Sequence, residues 1–461
     1  MMLLAQIAKV LDARLPQGDG SVRVNGVSTD TRKIAPNDLY IALRGERFDG
    51  ADFVAQAKQS GAAAAMLNQD SYESHRASFA ADFPILLVDD TRLALGQLAA
   101  YWRRQFDIPL VAITGSNGKT TVKEMIASIL RVAAGGDAAV LATAGNFNND
   151  IGMPLTLLKL GAQHRYAVIE MGMNHPGEID YLTQIAMPQV ALINNASGAH
   201  LEGMGSVRAV AEAKGEIFTG LQHEGSAIIN ADDEHASLWR KLAGVHSLLE
   251  FGLNNDADVS GVWHPQGSGL RLEVKTPSGD FTADLQVPGE HNARNALAAT
   301  AAAIALNLPL ESIVEGLEKF AGVAGRLQRK AGKNAAIVID DTYNANPASL
   351  QAAIAVLASA PGRRVLVLGD MGELGENAAA FHAGIGKAAR EAEIDRLCAL
   401  GELSREAVAE FGAGAEHFGT LEQLLAALDG ELNEGTTLLV KGSRFMKMER
   451  VVSHCVDVEK E

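Results

Sequence analysis

A glycine-rich turn between an apolar run and a helical pattern constrains this chain more than any other feature. The segment IPLVAITGSNGKTTVKEMIASIL, residues 108–130, carries GSNGKTT at that turn. Backbone N–H groups of such a turn, with the helix N-terminus behind it, form a cradle for phosphate oxygens. Lys119 would add positive charge at the β- and γ-phosphates, and the Thr120 hydroxyl could bind Mg²⁺. The turn is shorter than the common P-loop because Ile113 replaces its first glycine, yet strand, turn and helix together predict ATP binding.

Length, charge and cysteine content narrow the class of protein. A chain of 461 residues exceeds what one hydrophobic core supports, and about 150 residues per domain suggests three domains. Cys398 and Cys455 provide no disulfide framework, which is typical of the reducing cytosol. The net charge of −16 argues against extended nucleic-acid contact. The sequence shows neither an export signal nor an apolar run of about 20 residues, so we expect a cytoplasmic protein without a membrane span.

Strand-like apolar runs alternate with helical patterns along the chain, which is typical of α/β folds with parallel sheets. We predict a small α/β unit at residues 1–83, a central P-loop unit at 84–323 and a Rossmann-like α/β unit at 324–461. ILLVDD, residues 85–90, is expected to lead into the central unit as a strand or linker. A more β-like insert is expected at residues 259–287. The third unit lacks the G-x-G-x-x-G pattern, so no dinucleotide is predicted.

Polar side chains that follow the central strands are candidates for the chemistry. Glu170 ends YAVIE, where an acid that binds Mg²⁺ beside a P-loop would stand, although a glutamate at a strand end can also be merely solvated. Asn146 and Asn149 lie in GNFNND, a composition that on its own favours turn and cap hydrogen bonds. His200 follows another strand, and a lone histidine is more often an incidental surface or packed residue.

Four further residues have both a functional and an ordinary interpretation. Lys214 in AEAKGEIF would be a helix-surface lysine unless CO₂ carbamylates it into an oxygen ligand for Mg²⁺. Asn295, at the start of a helical pattern, could cap the helix or bind the adjacent donor and acceptor of a purine. Arg326 could reach a γ-phosphate from the junction of the second and third units, or it could be a solvated linker residue. Asp341 follows a strand, so its carboxylate could hold ribose hydroxyls or orient a substrate amine.

Ten segments occur in a fixed order along the chain. They are TGSNGKTT, NFNNDIGMPLTLL, EMGMNHPGEI, NASGAHLEGMGS, AEAKGEIF, HNARNALAA, AGRLQ, DDTYNANPAS, LGDMGELG and LVKGSRFMKME. Together they resemble the Mur ligase family of peptidoglycan synthesis, and the resemblance covers essentially the whole sequence. The N-terminal STDTRKIAPNDLYIALRGERFDG is similar to a uridine-nucleotide module of that family.

The resemblance implies roles for individual residues. The ATP phosphates would be held by Gly115, Ser116, Asn117, Gly118, Lys119, Thr120 and Thr121. Two Mg²⁺ would bind, the first to Thr120 and Glu170 and the second to Glu170, His200 and carbamylated Lys214. Asn295 would bind adenine, Arg326 the γ-phosphate and Asp341 the ribose. The uridine-linked substrate would contact Ser28, Thr31, Arg32, Arg44, Asn146 and Asn149.

The same resemblance implies the activity. We expect an enzyme that joins UDP-MurNAc-tripeptide to D-alanyl-D-alanine with hydrolysis of ATP, through an acyl phosphate. Nothing in the sequence requires an oligomer, so a monomer is expected. Two alternatives remain. Folylpolyglutamate synthase is a related amide-forming ligase, but its P-loop lies nearer the N-terminus than the P-loop of this chain. A nucleotide-binding switch would need no set formed by Glu170, His200 and Lys214.

Overall fold

The structure is a computed structural model that describes residues 2–45, 48–198 and 204–457. Within these residues the strands form a two-stranded ladder and sheets of five, nine and six strands. No helix in the described part of the chain is long and apolar enough to cross a bilayer.

The first sheet is built from the N-terminal residues. The two-stranded ladder is β1 (Met2–Leu3) with β3 (Arg23–Val24), and the five-stranded sheet has the order β2-β7-β6-β5-β4. Its strands are β2 (Arg14–Gln17), β4 (Gly26–Ser28), β5 (Asp38–Ile41), β6 (Ala64–Asn68) and β7 (Ile85–Val88). The helices are α1 (Leu4–Val10), α2 (Val54–Gln59) and α3 (Gln69–His75).

Strand β7 corrects the predicted limit between the first two units. ILLV was expected to lead into the central unit, but β7 pairs with β6 on one edge and with β2 on the other. Ile85, Leu86 and Leu87 are buried, and a strand buried on both faces is typical of a sheet interior. The first sheet therefore extends to Val88, and the chain leaves it through α4 (Thr91–Arg103), which packs on helices of the central unit.

The nine-stranded central sheet has the order β16-β15-β14-β13-β12-β11-β8-β10-β9 and is parallel from β9 to β14. The predicted β-like insert forms its antiparallel edge. The strands are β8 (Leu110–Thr114), β9 (Val140–Ala142), β10 (Tyr166–Glu170), β11 (Val190–Ile193), β12 (Ser226–Asn230), β13 (Ser247–Gly252), β14 (Val259–Gln266), β15 (Gly269–Lys275) and β16 (Phe281–Leu285). The helices are α5 (Lys119–Ala134), α6 (Gly152–Leu157), α7 (Glu178–Ala186), α8 (Val207–Gly215), α9 (Ala236–Ala243), α10 (Glu290–Ala305) and α11 (Leu310–Lys319).

The third sheet has the order β17-β18-β22-β19-β20-β21 and is parallel apart from β17. Its strands are β17 (Gln328–Ala331), β18 (Ile337–Asp341), β19 (Arg363–Gly369), β20 (Arg396–Leu400), β21 (Ala415–Phe418) and β22 (Thr436–Lys441). The helices are α12 (Pro347–Ala358), α13 (Ala378–Glu391), α14 (Ser404–Phe411), α15 (Leu421–Asp429) and α16 (Glu449–Cys455).

Apolar clusters cover both faces of the central and third sheets, which is the arrangement of a doubly wound α/β fold. One of them is continuous between the first two units, since it contains Leu39 and Ile41 of β5 together with Ala112 of β8 and Ile169 of β10. The predicted α/β class with three sheet-forming units is therefore confirmed.

Candidate active site

Three neighbouring parallel strands end at one edge of the central sheet. β8 lies between β10 and β11, with Glu170 opposite Ile113 and Ile193 opposite Thr114. The glycine-rich turn, the Glu170 carboxylate and Asn194 therefore meet at the carboxyl ends of the strands, where ligands bind in open α/β sheets.

The turn from β8 to α5 requires a glycine at residue 118. Gly118 has φ +77°, and a Cβ there would lie 2.5 Å from Asn295 Oδ1 and 2.6 Å from Asn194 Nδ2. Asn194 Nδ2 also donates to the Asn117 carbonyl at 2.9 Å. Lys119 Nζ donates to the carbonyl of Gly115 at 2.6 Å, so the ammonium lies within the turn that is predicted to bind phosphate.

Thr120 and Glu170 lie in direct contact. The Thr120 hydroxyl donates to Glu170 Oε2 at 2.7 Å, and Asn148 Nδ2 donates to Glu170 Oε1 at 2.8 Å. Thr120 and Glu170 are 7% and 2% exposed. Both oxygen donors are hard ligands, so the pair fits Mg²⁺, which is commonly held by one or two carboxylates together with substrate phosphates. Among the described residues, no three His, Cys, Asp or Glu side chains form a metal-binding group of their own.

The third unit reaches this site through two side chains. Arg326 Nη2 donates to Thr120 Oγ1 at 2.9 Å, and its guanidinium carbon lies 4.3 Å from the centre of the Tyr343 ring. Arg326 Nε is buried and has no acceptor among the described residues. Asn346 Nδ2 donates to Asn117 Oδ1 at 2.8 Å. Arg326 therefore places a charged guanidinium beside the turn, and among the described residues its side chain bonds only through Nη2, which makes it a candidate for binding an anion.

Asp341 forms a buried ion pair. Its carboxylate lies 2.6 Å from Lys441 Nζ, and the two side chains are 11% and 3% exposed. Nearby, burial lowers the pKa of His291 to about 4, with the charges of Lys441 and Arg294 acting in the same direction. At neutral pH His291 is therefore uncharged, and the charge of Lys441 is balanced by the Asp341 carboxylate.

A cleft of about 1030 Å³ brings most of these groups together between the central and third units. The predicted residues that line it are Ser116, Asn117, Gly118, Lys119, Thr121, Asn146, Glu170, Asn295, Arg326 and Asp341. Thr120 and Gly115 are not among the lining residues, but both contact residues that are. The predicted ATP site is therefore one contiguous site in space, while the role of each residue stays a prediction.

Lys214 lies on α8 and is 2% exposed. Its side chain makes no hydrogen bond or ion pair within the described part of the chain. Burial lowers the pKa of its amine well below the usual value, and the Lys119 charge lowers it further. The interpretation of Lys214 as a helix-surface lysine is therefore wrong. His200, the other predicted ligand beside Lys214, lies outside the described residues.

The predicted substrate residues of the first unit do not line this cleft. The Ser28 hydroxyl donates to the Asp30 carbonyl at 2.9 Å, and Arg32 is paired with the Asp30 carboxylate. Thr31 begins a short 3₁₀ turn, and Arg44 pairs with Asp49 across a β-bridge. Asn149 Oδ1 accepts from the backbone N–H of Gly152 at 2.8 Å, which is the cap chemistry that composition alone favours.

Several site residues were missed by the sequence prediction. Asn148 contacts Glu170, whereas its neighbours Asn146 and Asn149 were selected. The others are Asn194, Asn195, Ser197, Tyr343, Asn346 and Lys441. Each lies within or beside a segment that follows a strand, so proximity to a strand end was the available signal, but residue type did not distinguish them from ordinary loop residues.

Family models match three consecutive regions of the chain. Residues 23–103 match the catalytic domain of the Mur ligase family, residues 113–303 the Mur ligase middle domain and residues 325–444 the Mur ligase glutamate ligase domain. The chain belongs to the Mur ligase family.

Two curated relatives of this Mur ligase share one name with each other. The UDP-N-acetylmuramoyl-tripeptide–D-alanyl-D-alanine ligase of Escherichia coli K12 is 43% identical over 454 residues, which cover 97% of each chain. The ligase of that name from Bacillus subtilis 168 is 36% identical, with 96% of this chain and 95% of the relative covered.

Solved structures agree with these relatives. MurF from Acinetobacter baumannii superimposes with a TM-score of 0.89 at 37% identity and covers 98% of both chains. MurF from Thermotoga maritima, solved in complex with ADP, has a TM-score of 0.81 at 26% identity, with 94% of this chain and 97% of that chain covered.

Proposed function

We propose that this Mur ligase joins D-alanyl-D-alanine to UDP-MurNAc-tripeptide and converts ATP to ADP and phosphate. The observation that carries the proposal is the convergence of Lys119, Glu170 and Arg326 in one cleft between two units. The choice of substrates is supported by the two full-length relatives that are named UDP-N-acetylmuramoyl-tripeptide–D-alanyl-D-alanine ligase. The product would be UDP-MurNAc-pentapeptide, a precursor of peptidoglycan.

The nucleotide would lie along the carboxyl ends of β8, β10 and β11. The backbone of residues 115–121 and the Lys119 ammonium would bind the phosphates, and the Arg326 guanidinium would bind the γ-phosphate. Asn295 would face adenine. Asp341 would face the ribose, although its ion pair with Lys441 must then be shared with the nucleotide.

The Thr120 hydroxyl and the Glu170 carboxylate would hold a first Mg²⁺, and Glu170, His200 and a carbamylated Lys214 a second. Bound Mg²⁺ supplies charge neutralisation to the phosphates. Carbamylation requires a neutral amine, and burial, which lowers the pKa of Lys214, favours that form. The carbamate carries the oxygen atoms that an ammonium lacks, so it would complete a set of hard ligands.

The reaction would proceed in two displacements. A terminal carboxylate oxygen of the tripeptide attacks the γ-phosphorus, the bond to the β-phosphate oxygen breaks, and ADP leaves. The neutral amine of D-alanyl-D-alanine then attacks the carbonyl carbon of the acyl phosphate, the carbon–oxygen bond breaks, and phosphate leaves while the nitrogen loses a proton. Lys119 and Arg326 stabilise the charge on the transferred group, which is the main requirement of phosphoryl transfer.

The remaining assignments concern the substrate and the whole chain. The uridine end of the substrate would contact Ser28, Thr31, Arg32 and Arg44, and the peptide would approach past Asn146 and Asn149. We propose a cytoplasmic monomer with three domains, the first limit being moved from residue 83 to residue 88.

The test is phosphate release from ATP and Mg²⁺ with UDP-MurNAc-tripeptide, in the presence and absence of D-alanyl-D-alanine. Sustained release that needs both substrates, with formation of the pentapeptide product, is expected. Lys119→Ala should lower the rate by about 10³-fold, since it removes a charge from the transferred phosphoryl group. Phosphate release at the same rate without either substrate would favour the nucleotide switch. Amide formation on a folate would favour the folylpolyglutamate synthase alternative.

A further inference from the structure

Lys123 is a buried lysine that the proposed mechanism does not use. It lies on α5, one turn after Thr120, and its side chain is 1% exposed. Its Nζ donates to the Thr143 carbonyl at 2.6 Å and also pairs with the Glu124 carboxylate. An ammonium withdrawn from water is costly unless it is paired and hydrogen-bonded, so the contacts with Thr143 and Glu124 are what allow this charge to be buried.

Thr143 connects this lysine to the site. It follows β9 and is 1% exposed. Its hydroxyl oxygen accepts from the Glu170 backbone N–H at 2.9 Å, and its own N–H donates to the Val168 carbonyl at 3.1 Å. Thr143 is therefore fixed to β10, the strand that presents Glu170.

The contacts form a closed ring. From Lys123 they run to Thr143 and to Glu170, and the Glu170 carboxylate returns to α5 through the Thr120 hydroxyl at 2.7 Å. Helix α5 is thus tied to Glu170 at two points one helical turn apart. The loop that bears Asn148 begins directly after Thr143, so the second donor to Glu170 depends on the same anchor.

We propose that Lys123 is a positioning residue that fixes the Glu170 carboxylate relative to the Thr120 hydroxyl for metal binding. The inference rests on the proposed Mg²⁺ site of Thr120 and Glu170. Without the ammonium, the Thr143 carbonyl loses its donor, and the backbone that holds Glu170 and Asn148 can shift away from α5. Groups that orient metal ligands in this way affect metal affinity by about 10- to 100-fold.

The experiment measures metal binding without turnover. The full chain is saturated with ADP, and Mn²⁺ is added in place of Mg²⁺ while free Mn²⁺ is followed by electron paramagnetic resonance. Lys123→Met, which keeps most of the length of the side chain but removes its charge, should weaken Mn²⁺ binding by about tenfold or more. Its affinity for ADP in the absence of metal should equal that of the wild type.

Ser128→Ala is the matched control. Ser128 lies on the same helix and donates to the carbonyl of Gly316 on α11 at 2.7 Å, so it has no bond in the ring of contacts to Glu170. Its loss should leave the Mn²⁺ affinity unchanged. Should Lys123→Met fail to fold, Thr143→Val removes only the acceptor of the Glu170 N–H and should weaken Mn²⁺ binding in the same direction.

The outcomes separate this inference from the proposed function. Wild-type chain with ADP that binds no Mn²⁺ would overturn the metal site itself. Tight binding by the wild type and equally tight binding by Lys123→Met, or by Thr143→Val where that variant is used, would overturn only the role of Lys123. An equal loss of Mn²⁺ affinity in Ser128→Ala would overturn it as well, since helix stability would then explain the effect.

Discussion

Two lysines beside the P-loop are predicted to have different chemical roles because their surroundings differ. Burial lowers the pKa of both amines. For Lys119 the Glu170 charge opposes that effect, and two backbone carbonyls accept hydrogen bonds from the ammonium. For Lys214 the neighbouring charge is Lys119 itself, which disfavours a second ammonium. One residue is thus suited to bind phosphate as a cation and the other to react with CO₂ as a neutral amine.

This difference predicts chemical rescue at one lysine only. Lys214→Ala should lower ligase turnover by about 100-fold, because the proposed metal ligand is lost. Short-chain carboxylic acids should restore part of the rate, since a free carboxylate can occupy the place of the carbamate. Lys319→Ala, at an exposed lysine paired with Glu315, should change neither the rate nor its response to acetate. Absence of any rescue in Lys214→Ala would leave carbamylation without support.

At the scale of single elements, regular alternation made most of the fold predictable. Apolar runs buried on both faces, such as β8, and the turn into α5 follow from local sequence. The place of β7 does not follow from local sequence, because a buried strand has the same apolar pattern in either of two adjoining sheets.

The site shows the same limit. The ends of parallel strands predicted that Thr120 and Glu170 would meet, 50 residues apart in the chain. No local pattern shows that Arg326 bonds to Thr120 across 206 residues, or that Asn148 and not Asn149 contacts Glu170. Those contacts depend on how two units pack and on the conformation of one loop. They are therefore tertiary contacts, which patterns in a single sequence do not predict.

The start of α10 gives a prediction about pH. His291 has a pKa of about 4 in the folded chain against an ordinary value of 6.5. Between these values the unfolded chain binds a proton that the folded chain does not, so stability falls as the pH falls. From pH 7 to pH 5 the loss amounts to about 2 kcal/mol.

Urea unfolding at the two pH values checks this expectation. His291→Gln should remove most of that part of the pH dependence, whereas the exposed His223→Gln should retain it. An unchanged pH dependence in His291→Gln would show that other groups cause the loss.

At the scale of the whole molecule, the P-loop and the third unit are joined across the cleft by few direct contacts. Arg326 bonds to Thr120 and Asn346 bonds to Asn117. Individual hydrogen bonds of this kind contribute about 1 kcal/mol each, with somewhat more for the charged one. Moreover, the proposed Mg²⁺ needs the Thr120 oxygen that now accepts a hydrogen bond from Arg326. Entry of ATP and Mg²⁺ therefore requires the two units to separate at this point, and bonds this weak allow the units to open in solution without nucleotide.

Nucleotide binding should then draw the units together, because phosphates held between Lys119 and Arg326 would replace weak direct bonds by charge-assisted bridges. We expect the radius of gyration from small-angle scattering to decrease when a non-hydrolysable ATP analogue and Mg²⁺ are added. Lys119→Ala should not respond at the same analogue concentration, since it lacks one side of the bridge. Arg326→Ala should still bind the analogue through the P-loop but close less, because it lacks the other side. An identical decrease in the radius of gyration of the wild type and of Arg326→Ala would show that closure does not depend on this bridge. No decrease in the wild type would show that the units are already held together without nucleotide.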